Sequence, residues 1–176
     1  MAKREALRDL QTRLAQRLQA AQSEGMSVAW LAVRAGDTNY LLPLGQSGEI
    51  VPLGNAQPVP YAKDWFRGVI NIRGNLYGVV DLAGFLATEA GAARPAATAP
   101  ESSVVTLNAL LEVNCALQVD SLAGLRGGDA FASSAPAPAD APDYFGNRFV
   151  DTEGQPWQEI NLRVLSQSPR FLSIGA

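Results

Sequence analysis

Hydrophobic residues recur at helical spacing near the start of the chain. The apolar positions step by three and four residues: Leu7, Leu10, Leu14, Leu18 and Ala21. Residues 2–24 contain neither Gly nor Pro and are rich in strong helix formers, and Gly25 supplies an end signal. The pattern predicts an N-terminal amphipathic helix within residues 1–25. Such a helix either lies on its own domain or docks on a partner.

From residue 26 onward the pattern changes to short apolar runs bounded by turn residues, which is typical of β-strands. The predicted strands are 27–33, 39–44, 49–51, 68–72, 76–82, 104–113, 116–122, 147–150, 156–162 and 171–174. Short helical turns are predicted at 83–88 and at about 163–167. Two Ala/Pro-rich stretches, near 90–102 and 132–142, are predicted as exposed loops. Residues 26–176 are therefore expected to form a mainly β domain.

Two of the predicted hairpins look like copies of one another. Residues 74–82 and 154–162 each run from a turn glycine through an aromatic and a branched residue to an acid or amide followed by leucine. The aligned pairs are Tyr77 with Trp157, Val80 with Ile160, and Asp81 with Asn161. The repeat predicts two similar β units joined near residues 90–103. Since half of this chain is close to the size at which a β core is marginal, the units should bury a shared apolar interface.

The amino-acid composition excludes most catalytic mechanisms. The 176 residues include no histidine and one cysteine, which excludes Ser–His and Cys–His nucleophile pairs, His-ligated metals and an intramolecular disulfide. The net charge of −3 argues against nucleic acid and anionic membrane surfaces as partners. No apolar run approaches the roughly 20 residues that span a bilayer, and no signal-peptide pattern is present. We expect a cytoplasmic protein that is not an enzyme, with no catalytic residues, no cofactor and no metal.

Two residues could suggest chemistry and have simpler explanations. Asp81 stands at a strand end, but the long alternating helices of a phospho-accepting fold are missing. We therefore interpret Asp81 and Asn161 as helix caps, whose side-chain oxygens accept free backbone N–H groups. Cys115 lies in an apolar, strand-like stretch and is interpreted as a small core residue. An enzyme that uses carboxylates alone is thereby disfavoured.

The stretch 65–82 stands out because its hairpin turn presents Arg73 beside Gly74. A guanidinium at such a turn needs an acid or carbonyl groups as partners. Glu49, in an extended Gly-Glu-Ile-Val segment, is an available acid. By pattern alone, Arg73 either braces the fold or faces a partner.

The same stretch resembles the signature of the CheW family, the adaptors of bacterial chemosensory arrays. The shared motifs are Gly-Val-Ile-Asn-x-Arg-Gly at 68–74 and Val-x-Asp-Leu at 79–82. The likeness covers roughly residues 27–174 and includes the segments 41–44, 48–51, 58–60, 116–120 and 154–162.

The resemblance implies two packed five-stranded SH3-like β-barrels, in agreement with the hairpin repeat. It also implies an adaptor without catalysis, with one surface for the regulatory domain of a CheA-type histidine kinase and another for the cytoplasmic tip of a methyl-accepting chemoreceptor. Such an adaptor is recruited to membrane-associated arrays without inserting into the membrane. In the family, the arginine at this position pairs with the acid and lies near the receptor-facing side. The resemblance thus implies a partner-binding set: Glu49, Ile50, Gly68, Asn71, Arg73 and Gly74.

Departures from a minimal CheW point to a branch of the family. The N-terminal helix, the two Ala/Pro-rich loops and Tyr77-Gly78 in place of an apolar residue and proline are more similar to the PilI branch, whose arrays control type IV pilus twitching. Two other functions stay open. One is a flagellar chemotaxis adaptor, and the other is a β-barrel module that senses a ligand or peptide outside an array.

Overall fold

A computed structural model describes residues 2–24, 28–95 and 102–176, with side chains except for residues 18–24 and 28. Four helices occur in these ranges: α1 (Ala2–Glu24), α2 (Leu82–Glu89), α3 (Leu162–Gln167) and α4 (Pro169–Leu172). The strands up to the first Ala/Pro-rich loop are β1 (Val28–Ala35), β2 (Thr38–Pro43), β3 (Ser47–Pro52), β4 (Phe66–Ile72) and β5 (Asn75–Asp81). The later strands are β6 (Ser103–Leu107), β7 (Cys115–Val119), β8 (Ser121–Gly127), β9 (Phe131–Ala135), β10 (Phe145–Asp151) and β11 (Pro156–Ile160).

The strands form two sheets, as the expected pair of SH3-like units requires. The five-stranded sheet has the order β3-β6-β7-β5-β4, and the six-stranded sheet has the order β8-β1-β2-β11-β10-β9. The hairpins predicted to be copies occupy equivalent places: β5 pairs in parallel with β7, and β11 pairs in parallel with β2. Each hairpin leads directly into a helix, α2 or α3.

The predicted junction near residues 90–103 is wrong. That segment lies inside the five-stranded unit, because β3 to β5 precede it and β6 and β7 follow it. The six-stranded unit instead combines the N-terminal hairpin β1–β2 with β8 to β11. Hydrophobic alternation marks strands without naming their partners, so the long-range pairing of the two chain ends was not predictable from the pattern.

Four predicted elements differ from the structure. The strand predicted at 116–122 is divided at Asp120 between β7 and β8, which lie in different sheets. The stretch 132–142 was expected to be a loop, but β9 takes its first part and adds a sixth strand at the edge of one sheet, where five were expected. The strand predicted at 104–113 ends at Leu107 and is followed by a 3-10 turn. The closing strand predicted at 171–174 is the helix α4 followed by an isolated bridge between Ala62 and Gly175.

The predicted shared apolar interface is confirmed by the largest hydrophobic cluster. Its members come from both sheets and from the helices, and the fully buried ones include Leu31, Leu42, Phe85, Leu117, Ile160 and Leu165. Each sheet also has a small cluster of its own on the opposite face. Val79 and Val80 belong to different clusters because successive side chains of a strand point to opposite faces.

The helix α1 lies on its own domain, against β3 and β8. Leu14 and Gln11 are buried, and the Gln11 side chain donates a hydrogen bond to Ser103 Oγ at 2.5 Å. Leu10 departs from the predicted stripe, because it is 45% exposed. Gly25 and the side chains of Leu18 and Ala21 lie outside the described residues.

The two residues interpreted as helix caps behave differently. Asn161 is a cap: its side-chain oxygen accepts a hydrogen bond from the Val164 N–H at 3.2 Å. Asp81 holds the same position before α2, but its side chain makes no cap hydrogen bond. Its carboxylate instead forms an ion pair with Arg94, a basic residue in the first Ala/Pro-rich stretch. The cap interpretation of Asp81 is therefore wrong, because a charged partner competes for its oxygens.

Arg94 joins the two units by pairing with two buried carboxylates. Its guanidinium contacts both Asp81 oxygens and lies 3.2 Å from Asp120 Oδ1. The other Asp120 oxygen accepts the Gly36 N–H at 2.6 Å, at the turn between β1 and β2. Asp120 stands between β7 and β8, where the chain passes from one sheet to the other. Arg94 thus ties the end of β5 to the point at which the units meet.

Candidate functional site

The turn between β4 and β5 holds Arg73 in a conformation that side chains rarely adopt. Ile72 pairs with Asn75, which leaves a two-residue turn in which Arg73 has φ +52° and Gly74 has φ +87°. Positive φ at both positions defines a type I′ turn, whose twist suits a hairpin and which normally takes Asn, Asp or Gly first. The Asn71 side chain supports the turn by accepting the Gly74 N–H at 2.9 Å.

Arg73 forms the ion pair with Glu49 that the family resemblance implies. Arg73 Nε lies 3.3 Å from Glu49 Oε2, and the two side chains are 78% and 46% exposed. An ion pair this exposed contributes only about 0–1 kcal/mol, whereas a non-glycine residue at positive φ costs about 1–3 kcal/mol. The arrangement therefore does little to stabilise the fold. Of the two possibilities left by the sequence, the geometry favours an arginine that faces outward.

The ion pair stands at the rim of a groove of about 300 Å³. Ile50 is buried in the floor, next to Glu49 on the edge strand β3. Ala15 of α1 and Tyr77 of β5 contribute to the walls. The groove thus offers apolar surface beside two opposite charges that are open to solvent.

Gly68 and Gly74 play different parts in this hairpin. A Cβ at Gly68, which has φ +124°, would lie 2.2 Å from the carbonyl oxygen of Gln57. The Gln57 backbone pairs there with Val69, so a side chain at Gly68 would push the loop off β4. A Cβ at Gly74 would meet nothing within 4 Å. Gly68 is buried, so it allows the Gln57 loop to pack against β4 and offers no surface to a partner.

The six predicted residues lie on the β4–β5 hairpin and on β3, the strand at the other edge of the same sheet, and the Arg73–Glu49 contact connects the two. Arg73, Gly74 and Asn71 are exposed at the turn, Glu49 is exposed across from it, and Ile50 lies beneath. The contribution of α1 to the groove was not predicted from the sequence. The available signal was the excess of basic residues on that helix.

The described ranges also bear on three other possibilities: a metal site, a reactive thiol and a membrane-spanning helix. They contain no group of three or more acidic or cysteine side chains placed to hold a metal ion. Burial raises the pKa of the Cys115 thiol to about 12, so the thiol is protonated in the native core, as expected for a core residue. Each helix described is too short or too polar to cross a membrane.

Comparison with known proteins supplies the family. Residues 29–169 match the CheW-like domain. The chain belongs to the CheW-like domain family. It is 30% identical over 165 residues to Protein PilI of Pseudomonas aeruginosa (strain PAO1), a match that covers 93% of this chain and 89% of that protein. The predicted family is thereby confirmed, and the similarity to PilI supports the PilI branch.

A solved structure shows the same CheW-like fold. The crystal structure of the scaffolding protein TtCheW from Thermoanaerobacter tengcongensis superposes with a TM-score of 0.59 at 17% identity, covering 77% of this chain and 89% of that chain. The CheW-like match begins at residue 29, so α1 lies before it.

Proposed function

We propose that this protein is a non-enzymatic adaptor that couples chemoreceptors to a CheA-type histidine kinase, and that the face with Arg73 and Glu49 is one of its partner surfaces. Family membership supports the adaptor role. The observation that supports a partner surface on this face is the exposed Arg73–Glu49 ion pair on a strained turn. Strain that the fold itself does not need is common at binding sites, where it fixes a side chain for a partner.

The output we propose is control of type IV pilus twitching. It rests on the similarity to PilI over most of both chains and on the PilI-like features of the sequence. Deletion of the gene should reduce twitching zones and leave swimming unchanged, and the wild-type gene should restore twitching. The reverse pattern would instead favour a flagellar adaptor.

Direct binding tests the partner surface. The regulatory domain of the CheA-type kinase and the receptor tip encoded in the same genome are each titrated with wild type, Arg73→Glu and Arg148→Glu. Arg148 is a matched control because it is an exposed arginine on β10, in the other unit. We expect Arg73→Glu to weaken binding of at least one partner about tenfold or more, since it places two like charges together.

The outcomes of this titration separate two errors. If wild type binds neither fragment, the adaptor function is wrong. If wild type binds and Arg73→Glu binds as tightly as Arg148→Glu, the function stands and the assigned surface is wrong. Circular dichroism of each variant confirms that a loss of binding is not a loss of fold.

A further inference from the structure

The helix α1 forms one wall of a cleft whose opposite wall is the Arg73 turn. This cleft, of about 490 Å³, is lined by Arg8, Thr12 and Gln16 of α1, by Ile50 and Pro52 of β3, and by Arg73. It shares Ala15, Ile50 and Arg73 with the groove at the ion pair. The two cavities thus meet at these residues and are together called here the α1 groove.

The α1 wall of this groove is held in place by buried contacts. Leu14 is buried in the main hydrophobic cluster, and the buried side chain of Gln11 donates to Ser103 on β6. Because these contacts lie within two turns of Arg8, its position relative to β3 is set by packing. The groove is thus preformed along the part of α1 that precedes Arg17, rather than assembled by a loose extension.

The α1 groove is lined by two arginines, Arg8 and Arg73, and by one acid, Glu49. The helix has five basic and three acidic residues, whereas the whole chain has a net charge of −3. Among the residues that the structure describes, Arg8 makes no salt bridge. Arg73 has the exposed Glu49 as its ion-pair partner. A competing carboxylate could displace Glu49 at little cost, because exposed ion pairs contribute little.

We infer that α1 is part of the partner site and that the α1 groove takes an acidic segment of the bound partner, whose carboxylates contact Arg8 and Arg73. The inference rests on the proposed adaptor function and deepens it, because it adds a specificity element from outside the matched CheW-like residues. The exposed Pro52 supplies apolar contact above the buried Ile50, and the two arginines select a segment of negative charge.

The test uses the full chain and the same two partner fragments. Arg8→Glu should weaken binding about five- to tenfold, as expected when a charge that contacts the partner is reversed. Arg13→Glu is the matched control, because Arg13 is exposed on α1 and does not line the groove. It should bind within about twofold of wild type. Binding by wild type should weaken as NaCl rises from about 50 to about 300 mM, and this dependence should be smaller for Arg8→Glu.

A short poly-glutamate peptide provides a probe of the charge preference. It should compete with the partner for wild type and compete less for Arg8→Glu. Binding by Arg8→Glu that equals Arg13→Glu, while Arg73→Glu loses binding, would overturn this inference and leave the proposed function intact. Failure of wild type to bind either fragment would overturn both. Sedimentation that shows a dimer of wild type, lost in Arg8→Glu, would also overturn it by making a second copy the occupant.

Discussion

Replacing Arg94 by alanine should destabilise the protein strongly, although the residue lies in a stretch with the composition of a flexible loop. Asp81 and Asp120 are 6% and 1% exposed in their side chains, and Arg94 is the cation that contacts both. Its removal leaves two buried carboxylates without their charged partner. Loss of one member of a buried ion pair costs about 3–5 kcal/mol. Since the Arg94 side chain is 31% exposed, water can partly replace it, and we expect the lower end, about 3 kcal/mol.

Arg73→Ala is the matched control for this experiment. Arg73 also pairs with a carboxylate, but both side chains are exposed, so its loss should cost less than about 1 kcal/mol. Urea unfolding followed by fluorescence of the three tryptophans measures both free energies. In thermal unfolding, Arg94→Ala should lower the Tm by about 6–12 °C, given roughly 2–4 °C for each kcal/mol at this chain length.

Two results would refute the reasoning about Arg94. The first is a loss of stability below about 1 kcal/mol, which would show that the carboxylates find water when the arginine is absent. The second concerns Asp120→Asn in the Arg94→Ala background, which removes one buried charge and keeps an oxygen for the Gly36 N–H. It should recover part of the lost stability. If it destabilises the single variant further, uncompensated charge is not the cause. The double variant also keeps the test usable if Arg94→Ala alone does not fold.

The remaining predictions concern backbone fit, the core thiol and acid stability. Gly68→Ala should cost about 3 kcal/mol in unfolding free energy, because its Cβ would collide with the Gln57 carbonyl. Gly74→Ala should cost about 1–2 kcal/mol from positive φ alone. Equal losses in urea unfolding would contradict the collision. Cys115 should react with a thiol reagent at pH 8 only as fast as the protein unfolds, since burial raises its pKa to about 12; rapid labelling of the native protein would argue against this burial. The Asp151 pKa is lowered by the hydrogen bond from Trp157 and then by the backbone N–H groups of Gln155 and Glu153. The stability that this carboxylate contributes is therefore present above its unfolded pKa of about 4, and it is lost as the pH falls through the lower folded pKa. Asp151→Asn should flatten that part of the acid unfolding curve, and an unchanged curve would exclude the carboxylate as its source.

Several features of the fold follow directly from local sequence. The Gly- and Pro-free start of the chain specifies α1, because strong helix formers and apolar spacing agree there. The turn at Arg73-Gly74 follows from a glycine between two alternating runs. The CheW-like signature then places Glu49 opposite Arg73, and the structure shows that pair. Each of these depends on residues close in sequence or on a motif long enough to be specific.

Three features depend on the tertiary structure alone: which strands share a sheet, which residue pairs with Asp81, and which residues lie beside the Arg73–Glu49 ion pair. The alternation of apolar residues is the same whether β2 pairs with β11 or with a strand of its own half, so the pattern could not reveal that the chain ends form one unit. Arg94 looks like part of a linker until the fold brings two buried acids to it. Likewise, Arg8 becomes a neighbour of Arg73 only because α1 lies on β3. These pairings depend on burial and charge shared across the whole molecule, which no local stretch of sequence encodes.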